Sequence, residues 1–380
     1  YGSYAGIDDA RKVFDEMPVT NLVSWNSMVD GYAKCGDMVS ARQLFDMMIE
    51  RDVVSWSSLT DGYVKSKEYG NAVAVFEKML VSGPRPNEVT MVSVLCACAH
   101  LGALDKGKIM HQYIVDKELP LTLTLRTSLV DMYAKCGAIE EALNVFRGVP
   151  KAETDVLIWN AAIGGLATHG LFNKSLDLFR EMKLARVKPD DITYLCLLSA
   201  CAHGGLVKEA WRFFEHLSEP KVEHYASMVD TMARAGQVNE AYHFLDQMPI
   251  RPTASMLGAL LSGCINLRKM DLAEAVGKKL IALDPNHDGR YVGLSNVYAA
   301  SGRWREARST REAMEKRGVK KYPGYSYLQM PGALHRFIAQ DKSHPRIAQI
   351  YETLSLIVSE MKLFAAHESL ENCWYVEEVA

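Results

Sequence analysis

The side chains best suited to chemistry come in duplicate: Ala97-Cys-Ala-His100 returns as Ala200-Cys-Ala-His203. His100 and His203 could serve metal binding or acid–base catalysis, but a pair repeated in the same local context reads as architecture. Cys96-Ala-Cys98 and Cys201 lie in apolar stretches and read as packing residues. The eight cysteines, at Cys35, Cys96, Cys98, Cys136, Cys196, Cys201, Cys264 and Cys373, form no C-x-x-C pair, so neither a disulfide framework nor a zinc site is indicated. Small core residues in a reducing compartment fit them better. Glycine is spread through turns without a G-x-G-x-x-G or a P-loop. No metal and no cofactor are expected.

The elements that carry these duplicates are themselves repeated. Seven stretches begin at Leu22, Val53, Glu88, Leu123, Val156, Asp191 and Val222, and so return at intervals of 31 to 35 residues. Tyr32-Ala-Lys-Cys-Gly36, for example, comes back as Tyr133-Ala-Lys-Cys-Gly137. A period of this size specifies stacked supersecondary units rather than one globular core. Each unit buries its apolar side on its neighbours, giving a superhelix with a long inner surface suited to an extended partner. Of 380 residues, 48% are apolar and 23% charged, ordinary for a soluble fold. No apolar run approaches the ~18 residues of a membrane span, so no membrane partner is expected. The chain opens at Tyr1, in mid-unit and without an initiator methionine; a targeting peptide would lie outside this stretch.

Residue types within each unit specify a helical hairpin. The fourth residue is Trp25, Trp56, Trp159 or Tyr194 in four units, a bulky anchor. The fifteenth is Gly36, Gly102, Gly137, Gly170, Gly205 or Gly236, with Lys67 the exception. Glycine there can end the first helix in the left-handed conformation. The twentieth is always small: Ala41, Ala72, Gly107, Ala142, Ser175, Ala210 and Ala241. Phe45, Phe76, Phe146, Phe179, Phe214 or Leu245 follows one turn later, and only His111 departs. The expected fold class is all-α, a solenoid of helix-turn-helix units.

Two repeat families share that skeleton. Tetratricopeptide repeats, which bind proteins, want small residues at the eighth and twenty-seventh positions. Here the eighth is Val29, Thr60, Leu95, Val130, Ile163, Leu198 or Val229, and the twenty-seventh is Met48, Met79, Ile114, Val149, Met182, Leu217 or Met248. With Ser24-Trp-Asn26 and Tyr133-Ala-Lys-Cys-Gly137, the chain instead resembles the plant pentatricopeptide repeat family, in its branch with alternating unit lengths. The resemblance implies a right-handed superhelical solenoid. It also implies a partial unit at 1–21, units at 22–52, 53–87, 88–122 (long), 123–155, 156–190, 191–221 (long) and 222–253, and two degenerate closing hairpins, 254–289 and 290–324. The marks of the last two are Gly258-Ala-Leu-Leu261 and Leu294-Ser-Asn-Val-Tyr298. Beyond Pro323-Gly324, Tyr325 to Met330 and Ala333 to Ala339 partly alternate around Pro331-Gly332 and read as a β-hairpin. Ser343-His-Pro345 then opens an amphipathic helix to about Leu363, with Ser343 as N-cap. This tail, 325–380, resembles the family's carboxy-terminal extension, with Asp341-Lys-Ser-His-Pro345 as its mark. Some relatives continue into a cytidine deaminase, whose chemistry needs H-x-E and P-C-x-x-C. Residues 367–380 offer His367-Glu-Ser and one cysteine, so no catalytic residue is assigned and the chain is expected to be no enzyme.

The resemblance also implies an RNA code, in which one unit reads one base through its fifth and last residues. A final aspartate accepts protons and suits G or U; a final asparagine suits A or C. A small hydroxyl in fifth place leaves room for a purine, and asparagine favours a pyrimidine. Asn26 with Asp52 then reads U, Ser57 with Asn87 reads A, Thr127 with Asp155 reads G, and Asn160 with Asp190 reads U. Val92 with Thr122, Leu195 with Lys221, and Ala226 with Thr253 are weakly coded. The expected core is 5′-U-A-n-G-U. The bland alternative is that these polar residues are helix caps.

The second residues Val23, Val54, Val89, Leu157 and Ile192 would by resemblance wedge between bases, although core packing is the default for aliphatics. Net charge is −3, but phosphate contact depends on local charge. Lys34, Lys65, Lys135 and Arg234, with His100 and His203, share the thirteenth position. They either form a basic stripe or complement the helix dipole. The resemblance implies a monomeric RNA-recognition factor of a mitochondrion, or alternatively a chloroplast. It would position a separate cytidine deaminase and other editing factors through residues 254–364. Transcript stabilisation, splicing or translation, a protein-interaction scaffold, and an enzyme that has lost its tail are the alternatives.

Overall fold

The computed structural model describes the backbone of residues 4–321, 324–330, 333–338 and 341–374. They divide into two compact units between Asp284 and Pro285.

The first unit opens with α1 (Tyr4–Glu16) and continues as helical hairpins: α2 (Leu22–Cys35) with α3 (Met38–Met47), α4 (Val53–Lys65) with α5 (Tyr69–Ser82), and α6 (Glu88–Leu101) with α7 (Leu104–Asp116). Next come α8 (Leu123–Lys135) with α9 (Ile139–Arg147), α10 (Val156–Thr168) with α11 (Phe172–Leu184), and α12 (Asp191–Gly204) with α13 (Val207–Phe214). The last two pairs are α14 (Val222–Arg234) with α15 (Val238–Gln247) and α16 (Ala254–Asn266) with α17 (Met270–Leu283). Each first helix packs on its hairpin partner and on the first helix of the next hairpin. The even-numbered helices α2 to α16 therefore form one continuous layer.

Three recurring contacts produce that stacking. The small twentieth residue is buried, and at Gly107 it lets the next hairpin approach, since a Cβ built there would collide with the Met132 side chain of α8. The eighth residues and most of the twenty-seventh, bulky as they are, are also buried. Between hairpins the phenylalanine of one meets the aromatic fourth residue of the next. Phe45–Trp56 and Phe146–Trp159 each stand edge to face at 4.8 Å, and Phe14–Trp25 at 4.9 Å. Phe214–Tyr225, at 5.2 Å, shows that Tyr225 belongs to the same series. Each such pair adds about 1 kcal/mol beyond its buried area. His111 replaces phenylalanine by bonding Tyr133 Oη through Nδ1 at 2.8 Å, and burial pushes its pKa down.

At the turn after the first helix, Gly36, Gly102, Gly137, Gly170, Gly205 and Gly236 all take positive φ, and so does Lys67 at 62°. The backbone bonds there force the left-handed conformation whatever the residue: Lys67 N–H reaches Val64 O at 3.0 Å and Glu68 N–H reaches Tyr63 O at 2.8 Å. Burial pushes the Cys98, Cys196 and Cys264 thiols up to about 11 and Cys201 to about 12. Those four are packing residues with unreactive thiols.

The second unit holds α18 (Asp288–Ala300), α19 (Trp304–Lys316), strands β1 (Tyr325–Met330) and β2 (Ala333–Ile338), and α20 (Ile347–Trp374). The strands pair antiparallel, with Tyr325 opposite Ile338 and Met330 opposite Ala333; Pro331-Gly332 lies outside the described residues. The final helix differs from expectation. It begins at Ile347 rather than Ser343 and runs past Leu363. Asp341 accounts for the late start, because its carboxylate takes both the Ser343 N–H and the Ser343 hydroxyl at 2.9 Å, leaving Ser343 in a turn instead of a cap. The side chains of His367 and Cys373 lie outside the described residues.

Candidate nucleic-acid interface

The continuous layer of first helices brings three rows of sequence-predicted residues together. The row nearest the helix starts joins the fifth residue of one hairpin to that hairpin's last residue, which is also the N-cap of the next first helix. Asn26 Nδ2 donates to Asp52 Oδ1 at 3.0 Å, and Asn160 Nδ2 donates to Asp190 Oδ1 at 2.9 Å. Asp52 Oδ1 also accepts from Ser55 N at 2.9 Å, and Asp190 Oδ1 from Thr193 N at 2.8 Å. The side-chain hydrogen bonds to the two carboxylates fall on Oδ1, and the backbone N–H groups of Val54 and Ile192 also bond to Asp52 and Asp190. Burial alone would raise both carboxyl pKa values. The bonds from Ser55 and Asn26, and from Thr193 and Asn160, outweigh it and hold both below the ordinary range.

Ser57 and Asn87 form a neutral version of the same joint. Asn87 Oδ1 accepts from Thr90 N at 3.0 Å and from the Thr90 hydroxyl at 2.8 Å, which leaves Nδ2 as its open group. Ser57 Oγ lies 2.7 Å from Thr90 Oγ1 and 3.5 Å from Asn87 Oδ1. Thr127 bonds back to Leu123 O at 2.8 Å, while Asp155 caps α10 through Ile158 N at 3.1 Å; among the described residues no bond joins those two.

The long hairpins are built differently. Val92 and Leu195 offer no polar group, and their last residues turn toward an acid that opens the same hairpin. Thr122 Oγ1 donates to Glu88 Oε1 at 2.6 Å. Lys221 Nζ lies 2.9 Å from Asp191 Oδ2, and the bond to that carboxylate raises its pKa. Ala226 is half-buried, and Thr253 caps α16 through Met256 N at 3.4 Å.

One turn from the fifth residues, the second residues form an exposed aliphatic row. Val23, Val54, Val89, Leu157 and Ile192 are 48–71% exposed, so the core-packing reading fails for all five. Spacing of i and i+3 places Val23 beside Asn26, Val54 beside Ser57 and Leu157 beside Asn160 on one helix face.

At the far end of these helices, Lys34, Lys65, Lys135 and Arg234 occupy the last turn. Each faces an aspartate one turn earlier: Asp30 at 2.6 Å, Asp61 at 2.5 Å, Asp131 at 2.8 Å and Asp230 at 2.9 Å. The row consists of exposed ion pairs instead of bare cations. His100 stacks on Tyr69 at 4.5 Å, and His203 is exposed. Among the described residues no group of three or more His, Cys, Asp or Glu side chains could hold a metal ion, and no described helix is long and apolar enough to cross a membrane.

Sequence reading had missed the paired aspartates, Glu88 and Asp191, and the hydroxyls of Ser55, Thr90 and Thr193. The pattern Asp/Asn-x-x-Ser/Thr marks the last three as capping partners; their reach into the preceding hairpin is visible only in three dimensions.

The repeats themselves match a known family. The PPR repeat family model matches residues 51–100 and 154–203, and the PPR repeat model matches 23–53, 126–151, 192–219 and 223–251. Pentatricopeptide repeat-containing protein At5g08305 of Arabidopsis thaliana is 58% identical over 98% of this chain and 71% of its own length. The chain belongs to the pentatricopeptide repeat family. The E motif matches residues 268–329 and the E+ motif residues 334–361, so this pentatricopeptide repeat protein carries the family's E/E+ extension. A second Arabidopsis thaliana relative, At2g22410, mitochondrial, is 42% identical over 96% of the chain, which spans 55% of that relative. Other relatives are named mitochondrial or chloroplastic. Among solved structures, PPR10 in complex with an 18-nt psaJ RNA element has a TM-score of 0.67 at 21% identity, covering 83% of this chain and 49% of that one. It is the same solenoid fold.

Proposed function

We propose that this pentatricopeptide repeat protein binds single-stranded RNA in an organelle, one base to a hairpin, with the core 5′-U-A-n-G-U. The observation that carries the reading is how Asp52, Asn87 and Asp190 divide their atoms. Asp52 and Asp190 each use Oδ1 for capping and for their own hairpin's fifth residue, and Asn87 uses its oxygen for capping. What remains is acceptor capacity on the Asp52 and Asp190 carboxylates, for the N3–H of uracil. In Asn87 it is an amide N–H, a donor to N1 of adenine. Capping and reading are thus two uses of one side chain. Asp155 supplies the same acceptor for the N1–H of guanine, beside the small Thr127.

The exposed aliphatic row supports the reading from another side. Val23, Val54, Val89, Leu157 and Ile192 stand where a base in register with each hairpin would cover them. Lys34, Lys65, Lys135 and Arg234 serve phosphates by exchanging their aspartate partners, an exchange of low cost because exposed pairs contribute little. PPR10, whose fold this chain shares, was solved with an RNA element bound, and relatives named mitochondrial or chloroplastic support an organellar site of action.

Within that reading the protein is a site-recognition factor for cytidine-to-uridine editing, and the region of the E and E+ motifs recruits a deaminase supplied by another protein. Sequencing organellar transcripts from a plant lacking the gene tests this. One or more cytidines should stay unconverted a short way downstream of a U-A-n-G-U tract; full conversion with altered transcript ends or unspliced introns would instead favour stabilisation or splicing. RNA reading itself is tested by Thr127→Asn, which should shift the fourth base from G toward U. A base contact of this kind is worth roughly 1–3 kcal/mol, and an unchanged preference would overturn the register.

A further inference from the structure

Asn26 and Asn160 are buried amides, and each needs a donor for its own carbonyl oxygen. That donor comes from the next hairpin. Ser55 Oγ lies 2.6 Å from Asn26 Oδ1 and 2.9 Å from Asp52 Oδ1. Thr193 Oγ1 lies 2.7 Å from Asn160 Oδ1 and 2.9 Å from Asp190 Oδ1. Ser55, Thr90 and Thr193 are all fully buried. In the amide joints the hydroxyl has one proton, and the shorter contact assigns it to the amide oxygen. With that oxygen held, the amide NH2 must face the carboxylate, and one N–H remains for a base.

The third residues of the other hairpins fit the same logic. They are Leu125, Ile158 and Met256, which have no hydroxyl, and His224, which bonds Lys221 N and Asp191 O. The fifth residues preceding them are Val92, Thr127, Ala226 and Leu195. Three of these have no polar group to orient, and Thr127 satisfies its own hydroxyl on Leu123 O. Both buried asparagines meet a donor from the next hairpin, and Thr90 places a hydroxyl beside Ser57 as well.

We propose that Ser55 and Thr193 are positioning residues that fix which way the reading amides Asn26 and Asn160 face, so that the base chosen by one hairpin depends on the third residue of its successor. The inference rests on the RNA-reading function proposed above and specifies how that reading is set. Without the hydroxyl, the amide oxygen is a buried acceptor with no partner, and the side chain turns to find one. The donor–acceptor pair offered to uracil is then lost, while phosphate and stacking contacts stay.

The test measures binding of the full chain to oligonucleotides in which either U of U-A-n-G-U is replaced by C. Wild type should prefer U at both places. Ser55→Ala should lose about tenfold of that preference at the first U and none at the last, and Thr193→Val should do the reverse. Ser55→Thr and Thr193→Ser, which keep the hydroxyl, should hold the wild-type preference. In a Thr127→Asn background, Ile158→Thr should strengthen the new preference for U. If Ser55→Ala leaves the first preference intact, or weakens both equally, the positioning role is wrong although the RNA reading survives. If wild type shows no preference for U, the reading itself fails and this inference falls with it. Should Ser55→Ala prove unfolded by circular dichroism, the Thr193 pair decides by the same criteria.

Discussion

Hairpins 22–52 and 156–190 differ from the long hairpins 88–122 and 191–221 in where their polar atoms point. In the first two, a buried amide, a carboxylate and a hydroxyl from the next hairpin form one hydrogen-bonded set. In the long hairpins an aliphatic residue replaces the amide, and Glu88 or Asp191 engages the terminal Thr122 or Lys221. Both kinds are helical hairpins of the same stack. On the proposed reading, two or three side chains decide whether such a hairpin reads a base or spaces the array, and the difference costs the solenoid little because both sets satisfy their buried groups.

The largest test of that contrast is Asp52→Asn. Asparagine caps a helix as well as aspartate does, so the fold should stand while the open group changes from acceptor to donor. Preference at the first base should move from U toward C by about 1–3 kcal/mol, read by competition binding; retention of U would show that the carboxylate is not the reader. Next in size, exchanging the middle nucleotide among all four bases, opposite Val92 and Thr122, should change affinity by less than about threefold, under the ~1 kcal/mol of a lost base contact. A stronger dependence would make that hairpin a reader after all.

Acid should separate the two kinds of hairpin too. The folded pKa values of Asp52 and Asp190 are lowered. Their stabilising contribution is therefore complete above the ordinary carboxylate value and disappears as pH falls through the folded one. Asp190→Asn, which cannot titrate, should flatten part of the acid unfolding curve followed by circular dichroism; an unchanged acid limb would deny that the network stabilises the charge. The smallest effect belongs to Lys221→Met. Its bond to Asp191 is solvent-exposed, so the thermal unfolding midpoint should stay close to that of wild type. A large drop in the midpoint would mean the hairpin depends on that ion pair.

Much of this molecule was legible in its residues because the repeat presents each requirement several times. The fifteenth-position glycine could be read as a helix stop, and the small twentieth residue as a seam, since backbone conformation and close approach are local demands. Even the exception is informative: Lys67 takes the left-handed turn because the flanking bonds of α4 impose it. Less local features were hidden. The position of Ser343 suggested a cap, but Asp341, two residues earlier, captured both its N–H and its hydroxyl. The aliphatic second residues looked like core by type, because hydrophobicity does not state which face of a helix meets a neighbour.

By itself the chain determined its period, its helical hairpins and its family, since these follow from residue type at fixed spacing, and the resemblance marked which positions to propose as readers. Only the tertiary structure decided how the polar atoms are shared: Asp52 and Asp190 gather their side-chain bonds on one oxygen, Lys34 and its counterparts face aspartates, and Ser55 reaches back to Asn26 across a hairpin boundary. Such choices depend on distances between groups about thirty residues apart in the chain, and hydrogen bonds form or fail within a few tenths of an ångström.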